Sequence, residues 1–287
     1  MHTLIIVLII IAVVVALLLL VLWMIAPRKN KPDLTPLLGY DYAHRGLFTA
    51  DQSIPENSLP AFRRAVENGY GIELDIQLTA DHQIVVFHDA TLKRVCGIDR
   101  PLYEFTFQQL QEIPLANSDE RIPLFSDVLA LVNGRTPLIV EIKHESGPSA
   151  VAAAALNMLR AYQGPYCVES FHPMAVRYFR RHAPEVVRGQ LAMGYKWQTG
   201  GNSKAAHFVL KHLLVNVLGR PHFIAYSVPT DHTLSMWLMK RLFHPYLAGW
   251  TIRSQDVLDE SLRQGYRYPI FELFIPQKKS GENGTCV

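Results

Sequence analysis

The sequence predicts an α/β protein, a (β/α)8 barrel preceded by one N-terminal transmembrane helix. Two observations carry this prediction. The first is a long uncharged apolar stretch at residues 3–26. The second is the regular alternation of short apolar runs with helical patterns over residues 40–276, which is typical of a parallel barrel. The length of this second part suits a single barrel domain.

The uncharged stretch is predicted to be an uncleaved membrane anchor. As a helix it would be about 36 Å long, enough to cross a hydrocarbon core of roughly 30 Å. The alternative is a cleaved signal peptide. That reading suffers because no Lys or Arg precedes the apolar run, the run is too long, and no small-residue cleavage site follows it.

Basic residues directly after the anchor indicate its orientation. Arg28, Lys29 and Lys31 follow it, whereas only the terminal amino group precedes it. The positive-inside tendency therefore predicts a single-pass protein of the cell membrane with its barrel in the cytoplasm. Residues 27–39, which contain three prolines, are expected to be a short and fairly stiff linker.

The apolar runs occur in the order and at the spacing that eight barrel strands require. The strands are expected at 40–44, 72–78, 137–143, 166–171, 187–193, 222–228, 246–253 and 268–274. Helices are expected near 58–68, 126–132, 149–162, 173–182, 203–217, 231–243 and 255–263. The polar residues 277–287 are expected to form a flexible tail.

One further apolar run, at residues 84–87, is predicted to lie outside the barrel. Only about five residues separate it from the preceding strand, whereas a parallel crossover needs about a dozen or more. The two runs must therefore form an antiparallel hairpin that carries His88 above the barrel. Residues 90–124 follow as an irregular insertion, broken by prolines, and a loop of that length is usually a lid or a binding element.

Histidines and carboxylates cluster at the ends of the first apolar runs. His44 and His88 each end a run, and Glu73 and Asp75 lie two residues apart within one. Because side chains alternate along a strand, both carboxylates point the same way. Two adjacent carboxylates repel each other unless a positive charge lies between them, and a hard divalent cation is the usual solution.

Composition excludes several other functions. The net charge of +3 and the lack of a basic tract with interleaved aromatics give no sign of nucleic-acid binding. Three scattered cysteines form neither a metal-ligand spacing nor a disulfide framework, which favours a reducing compartment. Composition says nothing about the oligomeric state.

Five short motifs occur in a specific order: HRG at 44–46, PENS at 55–58, ELD at 73–75, HD at 88–89 and EIK at 141–143. Together they resemble the glycerophosphodiester phosphodiesterase family, over about residues 40–276. The resemblance implies a barrel of the phospholipase C-like phosphodiesterase type, here as a membrane-anchored member. It also implies one divalent cation and a pair of catalytic histidines.

The resemblance assigns the cation to Glu73, Asp75 and Glu141. The strand positions agree, because Glu141 lies near the end of the next barrel strand and all three converge on one mouth. Oxygen ligands favour Mg²⁺, Ca²⁺ or Mn²⁺ over zinc. Structural salt bridges are the alternative. The resemblance further implies that His44 and His88 are the acid and base, without saying which is which.

Four more residues are candidate substrate contacts. Arg45 and Lys143 match the family motifs and suit a phosphate group, although orientation of the carboxylates is an alternative role. Asn57 is expected near the phosphate or the metal, with helix capping as the competing role. Trp250 stands where the family has a Trp-Thr pair and either packs on the alcohol part of the substrate or belongs to the core.

Two departures from the family pattern put fine substrate specificity in doubt. The Trp-Thr pair is normally followed by Val-Asn, but here by Ile252 and Arg253. The next strand usually bears an Asp, but here reads PIFELF. Neither departure touches the expected metal ligands.

The function implied by the resemblance is metal-dependent hydrolysis of glycerophosphodiesters to an alcohol and glycerol 3-phosphate. Attack by the glycerol hydroxyl, through a cyclic phosphate, and direct attack by water both remain open. The membrane anchor makes lysophospholipids an alternative substrate, in which case the enzyme is a lysophospholipase D at the bilayer surface. A non-catalytic, membrane-anchored binding protein is a third hypothesis, although none of the expected catalytic groups is missing.

Overall fold

A computed structural model describes residues 1–30, 32–194, 204–228 and 231–277. In these ranges eight parallel strands close into a barrel, since β1 pairs with both β2 and β9. The strands are β1 Tyr42–His44, β2 Gly71–Leu78, β3 Ile84–Val86, β4 Leu138–Ile142, β5 Tyr166–Ser170, β6 Arg188–Ala192, β7 Phe223–Ser227, β8 Tyr246–Ile252 and β9 Tyr268–Phe271. The predicted (β/α)8 barrel is confirmed, with strand boundaries within about two residues of expectation for most strands.

The predicted hairpin is also confirmed, because β3 pairs antiparallel with β2 and with no other barrel strand. The segment after β3 is held against the end of β2. Gln77 donates hydrogen bonds from Nε2 to the carbonyl oxygens of Phe87 and Asp89, at 2.9 Å each. These two bonds flank His88 and fix the backbone that carries it.

The helices agree with the predicted pattern except where two of them divide. They are α1 His2–Ile25, α2 Leu59–Glu67, α3 Lys93–Cys96, α4 Phe107–Gln111, α5 Phe125–Val132, α6 Pro148–Ala161, α7 Pro173–His182, α8 Lys204–Lys211, α9 Asn216–Gly219, α10 Leu234–Leu238 and α11 Gln255–Arg263. The helix predicted over 203–217 breaks between α8 and α9, where buried Leu213 adopts a positive φ of 58°. The helix predicted over 231–243 is α10 continued by a π-helical turn, Met239–Phe243.

The insertion at residues 90–124 is a compact cap rather than an open loop. It contains α3, α4 and a short 3₁₀ turn, Leu102–Glu104. Its apolar side chains bury one another together with two residues of the β3 segment; they are Val85, Phe87, Leu92, Leu102, Phe105, Leu110, Leu115 and Ile122. A core of its own gives this cap a fixed position beside the hairpin that bears His88.

The first helix is the one helix in the described ranges that is long and apolar enough to cross a membrane, and a signal sequence meets the same criteria. Its last residue, Ile25, is fully buried against the barrel. The predicted linker is not a free spacer, because Leu34 and Leu37 are buried in a cluster with Tyr42 of β1. Lys31 and the predicted tail beyond Gln277 lie outside the described residues.

The interior of the barrel has an apolar layer and a charged layer. In β4 and β5, the apolar layer receives Ile139 and Cys167, which pair in register. Two residues further along, the same faces carry Glu141 and Glu169, which also pair. Because side chains alternate with a period of two, the carboxyl ends of these strands direct acidic groups into the barrel mouth.

Candidate active site

The three predicted metal ligands come together at this mouth. Glu73, Asp75 and Glu141 are all buried, and each offers a carboxylate oxygen that lies within 4.8 Å of the others. Their closeness follows from the strand register, in which Asp75 of β2 lies directly beside Glu141 of β4. Three convergent carboxylates, with no nitrogen or sulfur ligand among them, form a donor set that suits a hard divalent cation.

Electrostatics at the cluster supports the same fit. Burial raises the pKa of Glu73 well above its usual value, and the negative charge of Asp75 raises it further. The pKa of Glu141 is raised for the same two reasons. Burial alone would also raise the pKa of Asp75, but the nearby cations lower it well below its usual value. Ionising all three buried carboxyl groups is therefore unfavourable unless further positive charge lies among them, and a divalent ion would supply that charge.

Two of the predicted phosphate contacts supply those cations. Nζ of Lys143 lies 2.8 Å from Oδ1 of Asp75 and 2.8 Å from Oε1 of Glu141. Nε of Arg45 lies 3.7 Å from Oδ2 of Asp75. Both cationic side chains therefore face the cluster. This position is compatible with binding a phosphate and also with orienting the carboxylates.

Asn57 points at the cluster instead of capping a helix. Its Nδ2 donates to Oδ2 of Asp75 at 2.9 Å, while Ser58 caps α2 by accepting a hydrogen bond from the Ala61 amide. The amide oxygen Oδ1 of Asn57 is buried without a hydrogen-bond partner in the described part of the chain. A buried acceptor beside three carboxylates is a further oxygen available to a cation or to a donor on the substrate.

His44 ends β1 and is oriented by a carboxylate that the sequence did not indicate. Its Nδ1 donates to Oε2 of Glu272 at 2.5 Å, and its Nε2 lies 3.8 Å from Oε2 of Glu73. Burial and the neighbouring Arg45 lower the pKa of His44, whereas Glu272 opposes this shift. The ring therefore presents Nε2 toward the acidic cluster and keeps Nδ1 occupied.

His88 enters from the hairpin and has an equivalent partner. Its Nδ1 lies 2.6 Å from Oδ1 of the adjacent Asp89. Burial, together with the positive charge of Lys143, lowers the pKa of His88 to about 4. Both histidines line the same cavity, so the barrel mouth and the hairpin bring the two predicted acid–base residues to one site.

A partly exposed ion network joins the cap to the barrel mouth. Arg94, from α3, donates to both carboxylate oxygens of Glu56 at 2.8 and 2.6 Å and to Oδ2 of Asp89 at 2.6 Å. Glu56 also accepts from Arg45 at 2.8 Å. The network thus connects the neighbours of both histidines, His44 through Arg45 and His88 through Asp89. Arg94 gave no signal in the sequence, because the insertion has no periodic pattern.

The two departures from the expected family pattern contact one another. Arg253 donates from Nε to Oε1 of Glu272 at 2.8 Å, so the strand reading PIFELF does supply a carboxylate at the site. Glu169 is a further buried acid in the cavity wall, and its Oε2 has no hydrogen-bond partner in the described chain. Alternation along β5 is the signal that would have placed it beside Glu141.

The cavity above these groups has a volume of about 1400 Å³, and both charged and apolar side chains line it. The charged part of the lining includes the histidines, acids and basic residues described above. The apolar part includes Phe48, Phe171, Leu191, Met193, Trp250 and Leu273. Trp250 packs edge-on against Phe171, with ring centroids 5.5 Å apart. Its position in the cavity wall is the one that substrate packing would need.

Known proteins resemble this chain in both sequence and fold. A sequence model described as the glycerophosphoryl diester phosphodiesterase family matches residues 44–265. A glycerophosphodiester phosphodiesterase of Caldanaerobacter subterraneus subsp. tengcongensis is 30% identical over 161 residues, which are 52% of this chain and 65% of that protein. Mouse glycerophosphodiester phosphodiesterase 1 is 30% identical over 181 residues, 58% of this chain and 53% of that protein. The matched region is thus less than two thirds of either relative.

Solved structures with the same fold include two at low sequence identity. A phosphodiesterase from Oleispira antarctica, in complex with the product sn-glycerol 3-phosphate, has a TM-score of 0.67 and 21% identity, covering 82% of this chain and 93% of that one. A glycerophosphodiester phosphodiesterase from Thermotoga maritima has a TM-score of 0.61 and 22% identity, covering 81% and 94%. Since the family match spans most of the barrel and every motif that suggested it, this chain belongs to the glycerophosphoryl diester phosphodiesterase family.

Proposed function

We propose that this protein is a divalent-cation-dependent phosphodiesterase that hydrolyses glycerophosphodiesters to an alcohol and glycerol 3-phosphate. The observation that carries the proposal is the meeting of His44 and His88 in one cavity with a buried site of three carboxylates. Membership of the family and the glycerol 3-phosphate bound to the Oleispira relative support the same reaction class.

Glu73, Asp75 and Glu141 hold the cation in this proposal, with Mg²⁺, Ca²⁺ and Mn²⁺ as the ions that oxygen ligands prefer. When bound there, such an ion would supply positive charge that offsets the negative charge of the phosphodiester. Arg45 and Lys143 add fixed positive charge beside it, and Asn57 offers one more polar contact. These side chains already face the cluster, so little reorganisation is needed when the phosphate binds.

The two imidazoles move the protons of the reaction. One accepts the proton of the attacking hydroxyl, and the other donates a proton to the leaving alkoxide. Glu272 fixes Nδ1 of His44 and Asp89 fixes Nδ1 of His88, so that each ring uses Nε2 for catalysis. Trapping a cyclic glycerol phosphate would assign the attacking group to the glycerol hydroxyl, whereas undiminished hydrolysis of an analogue without that hydroxyl would assign it to water.

Lysophospholipids are a second candidate substrate, because the cavity is large and apolar side chains form part of its lining. Glycerol and a small head group do not need a wall of the kind formed by Phe171, Leu191 and Trp250. An acyl chain on the glycerol does need such apolar contacts. In addition, α1 would bring the enzyme to the membrane in which such lipids lie. In this variant the enzyme is a lysophospholipase D.

For localisation we propose a single-pass protein of the cell membrane with the barrel in the cytoplasm. The full burial of Ile25, the last residue of α1, supports an uncleaved helix, because cleavage after this residue would remove part of the barrel's own core. Protease treatment of intact cells or spheroplasts tests the sidedness. Digestion of the barrel from outside would overturn it.

The deciding experiment is hydrolysis by the purified full chain, with glycerophosphocholine, glycerophosphoethanolamine and lysophosphatidylcholine as substrates. Each is assayed with Mg²⁺, Ca²⁺, Mn²⁺ or EDTA. We expect turnover that EDTA abolishes and that is lost in both His44→Ala and His88→Ala. Activity that survives EDTA, or survives in the double variant, contradicts the mechanism. Substrate binding without turnover under any cation would instead favour a non-catalytic binding protein.

A further inference from the structure

The end of α1 is built into the barrel instead of leading to it through a free linker. Nδ2 of Asn216, in α9, donates to the carbonyl oxygen of Ile25 at 2.8 Å. The guanidinium of Arg220 donates to the carbonyl oxygens of Trp23 and Ala26 at 2.6 and 2.9 Å, and lies over the Trp23 ring at 5.0 Å. These bonds satisfy carbonyls that a helix C-terminus leaves unpaired, so the helix end has a fixed attachment.

The length of α1 determines where this attachment must lie relative to a bilayer. The helix has 24 residues, and at about 1.5 Å per residue it exceeds a hydrocarbon core of roughly 30 Å by only about a turn. If α1 spans the membrane, its last turn is at the interface. The parts of the barrel that pack around Ile25 therefore lie at the membrane surface.

Two neighbouring helices near this attachment expose large apolar side chains. Met236 of α10, Met239 of the π-helical turn that continues it, and Leu213, which follows α8, belong to the same buried cluster as Ile25. The same part of the chain also bears exposed side chains: Phe208 of α8 is 55% exposed, Leu234 and Trp237 of α10 are 69% and 56% exposed, and Leu242 of the π-helical turn is 53% exposed. A contact of 3.3 Å between His212 Nδ1 and Ser235 Oγ holds the end of α8 beside α10. We call these four exposed residues the docking face.

The segment that carries the docking face is rich in basic residues. The sequence from 204 to 244 contains Lys204, Lys211, Arg220, Lys240 and Arg241, but only one acidic residue, Asp231. Asp231 is buried, where it accepts hydrogen bonds from Lys240 Nζ at 2.6 Å and from the Tyr266 hydroxyl at 2.8 Å. A surface with exposed aromatic and leucine side chains and nearby basic residues is the kind that binds membranes containing anionic lipids.

From these observations we infer that the docking face rests on an anionic bilayer surface and holds the barrel in one orientation on the membrane. The inference goes beyond the catalytic reaction and depends on the proposed function only in requiring α1 to span the membrane. The bilayer is the occupant that the surroundings favour, because the docking face lies near the attachment of α1 and its segment contains basic residues that complement acidic lipids. A tether alone would leave the barrel free to turn, whereas the docking face and α1 together define its tilt.

The test places an environment-sensitive nitrobenzoxadiazole label at single cysteines in the full chain, with the three native cysteines replaced by alanine. Trp237→Cys and Phe208→Cys report two positions of the docking face. Tyr103→Cys, on the cap and 41% exposed, is the matched control, and Val14→Cys reports the middle of α1. Each labelled protein is reconstituted in vesicles of phosphatidylcholine and phosphatidylglycerol, with or without spin-labelled lipid, and is also exposed to aqueous iodide.

We expect spin-labelled lipid to lower the emission at 237 and 208 about twofold, with little effect of iodide, and the reverse at 103. Equal quenching by iodide at positions 237 and 103 overturns the inference. Protection of position 237 from both iodide and spin-labelled lipid also overturns it, because it indicates that a protein partner, such as a second copy of this chain, covers the docking face. If spin-labelled lipid quenches the label at position 14 but not the labels at 237 and 208, α1 spans the membrane and the proposed contact of the docking face with the bilayer is wrong. If lipid does not quench the label at position 14, α1 does not span the membrane and the whole inference is wrong. Hydrolysis of soluble glycerophosphocholine is assayed separately. A failure of the proposed catalytic function can therefore be told apart from a failure of the membrane inference.

Discussion

His44 and Glu272 are joined by a hydrogen bond of 2.5 Å between Nδ1 and Oε2, although 228 residues separate them in the chain. Burial alone would raise the pKa of Glu272, but the contacts with His44 and Arg253 lower it to about 2. The carboxylate is therefore ionised at neutral pH, and it keeps the proton of His44 on Nδ1. Glu272 acts as a positioning residue for the imidazole that faces the acidic cluster.

We predict that Glu272→Gln lowers kcat for glycerophosphodiester hydrolysis about 10²-fold. Loss of the negative charge also lowers the pKa of His44, because Glu272 opposes the downward shift that burial and Arg45 impose. Whichever limb of the pH–rate profile His44 controls should therefore move to lower pH. Arg253→Met is the control, since its exposed guanidinium contacts Glu272 from the side away from the ring; we expect a smaller effect. An unchanged profile in Glu272→Gln contradicts the positioning role.

Cation binding should stabilise the fold, because it relieves repulsion among Glu73, Asp75 and Glu141. At a cation concentration of about 100 times Kd, binding adds about 2.7 kcal/mol to the free energy of unfolding. For a domain of this size that corresponds to a rise in Tm of roughly 5–10 °C. The measurement is thermal unfolding of the EDTA-treated chain with Mg²⁺, Ca²⁺ or Mn²⁺ added.

The Glu141→Gln variant provides the control for this prediction. It keeps the size of the side chain and the possibility of a bond from Lys143, but it removes one of the three charged ligands. We expect the cation-dependent rise in Tm to shrink or vanish. An equal rise in the variant would place the binding site elsewhere.

Much of the fold and part of the site follow from local patterns in the sequence. The period-two alternation in β2 identified Glu73 and Asp75 as neighbours on one face, and the short link to β3 required a hairpin. Both deductions use only residues within a few positions of each other. The division of the helix after α8 was not predictable, because Leu213 adopts its positive φ in a context that tertiary packing determines.

The partners of the histidines were harder to predict, for two different reasons. Glu272 reaches His44 only because the barrel closes between β9 and β1, and no local pattern reports that contact. Arg94 lies in an aperiodic insertion whose path depends on its own small core. Glu169, in contrast, lies two residues after Cys167 on the same face of β5. Strand alternation alone could therefore have predicted that Glu169 points into the barrel, although the neighbouring residues are apolar.

The cap is expected to control the position of His88 through Arg94. We predict that Arg94→Met lowers kcat/KM about tenfold, because Asp89 and Glu56 both lose the cation that holds them together. The adjacent Lys93→Met is the matched control, since within the described chain Lys93 forms an ion pair with exposed Asp99, at 2.7 Å, and none with Asp89 or Glu56. Steady-state kinetics on glycerophosphocholine compares the two variants. Equal effects would mean that the cap acts through general stability.

The apolar residues that line the cavity should distinguish the two candidate substrates. Trp250→Ala removes the ring that packs against Phe171, so an acyl chain loses apolar contact while a small head group loses little. The loss of a large buried side chain is worth about 1.5–3 kcal/mol. We therefore expect kcat/KM to fall about tenfold or more for lysophosphatidylcholine and much less for glycerophosphocholine. Equal losses on both substrates would argue that Trp250 serves the core and not the acyl chain.

Asp231, Lys240 and Tyr266 form a buried polar group far from the cation ligands in sequence, and its contribution to stability should depend on pH. Burial raises the pKa of Asp231, but the hydrogen bonds from Lys240 and Tyr266 outweigh this effect and lower it. The folded state thus binds fewer protons than the unfolded state just below the usual carboxyl pKa of about 3.9. The stabilisation is therefore fully present above that value and is lost as the pH falls toward the lowered pKa of the folded state.

Replacing Lys240 tests the direction of this pH dependence. Lys240→Met should lower the free energy of unfolding by about 1–3 kcal/mol at pH 7, because it leaves a buried carboxylate with one partner fewer. The deficit should shrink as the pH falls below about 4, where protonation removes the charge that Lys240 balances. Urea unfolding of the full chain at several pH values measures it, with the exposed neighbour Arg241→Met as the control. A deficit that is constant with pH, or equal in Arg241→Met, would show that Lys240 stabilises the fold by packing over the Tyr266 ring, 5.0 Å away, and not through the charge of Asp231.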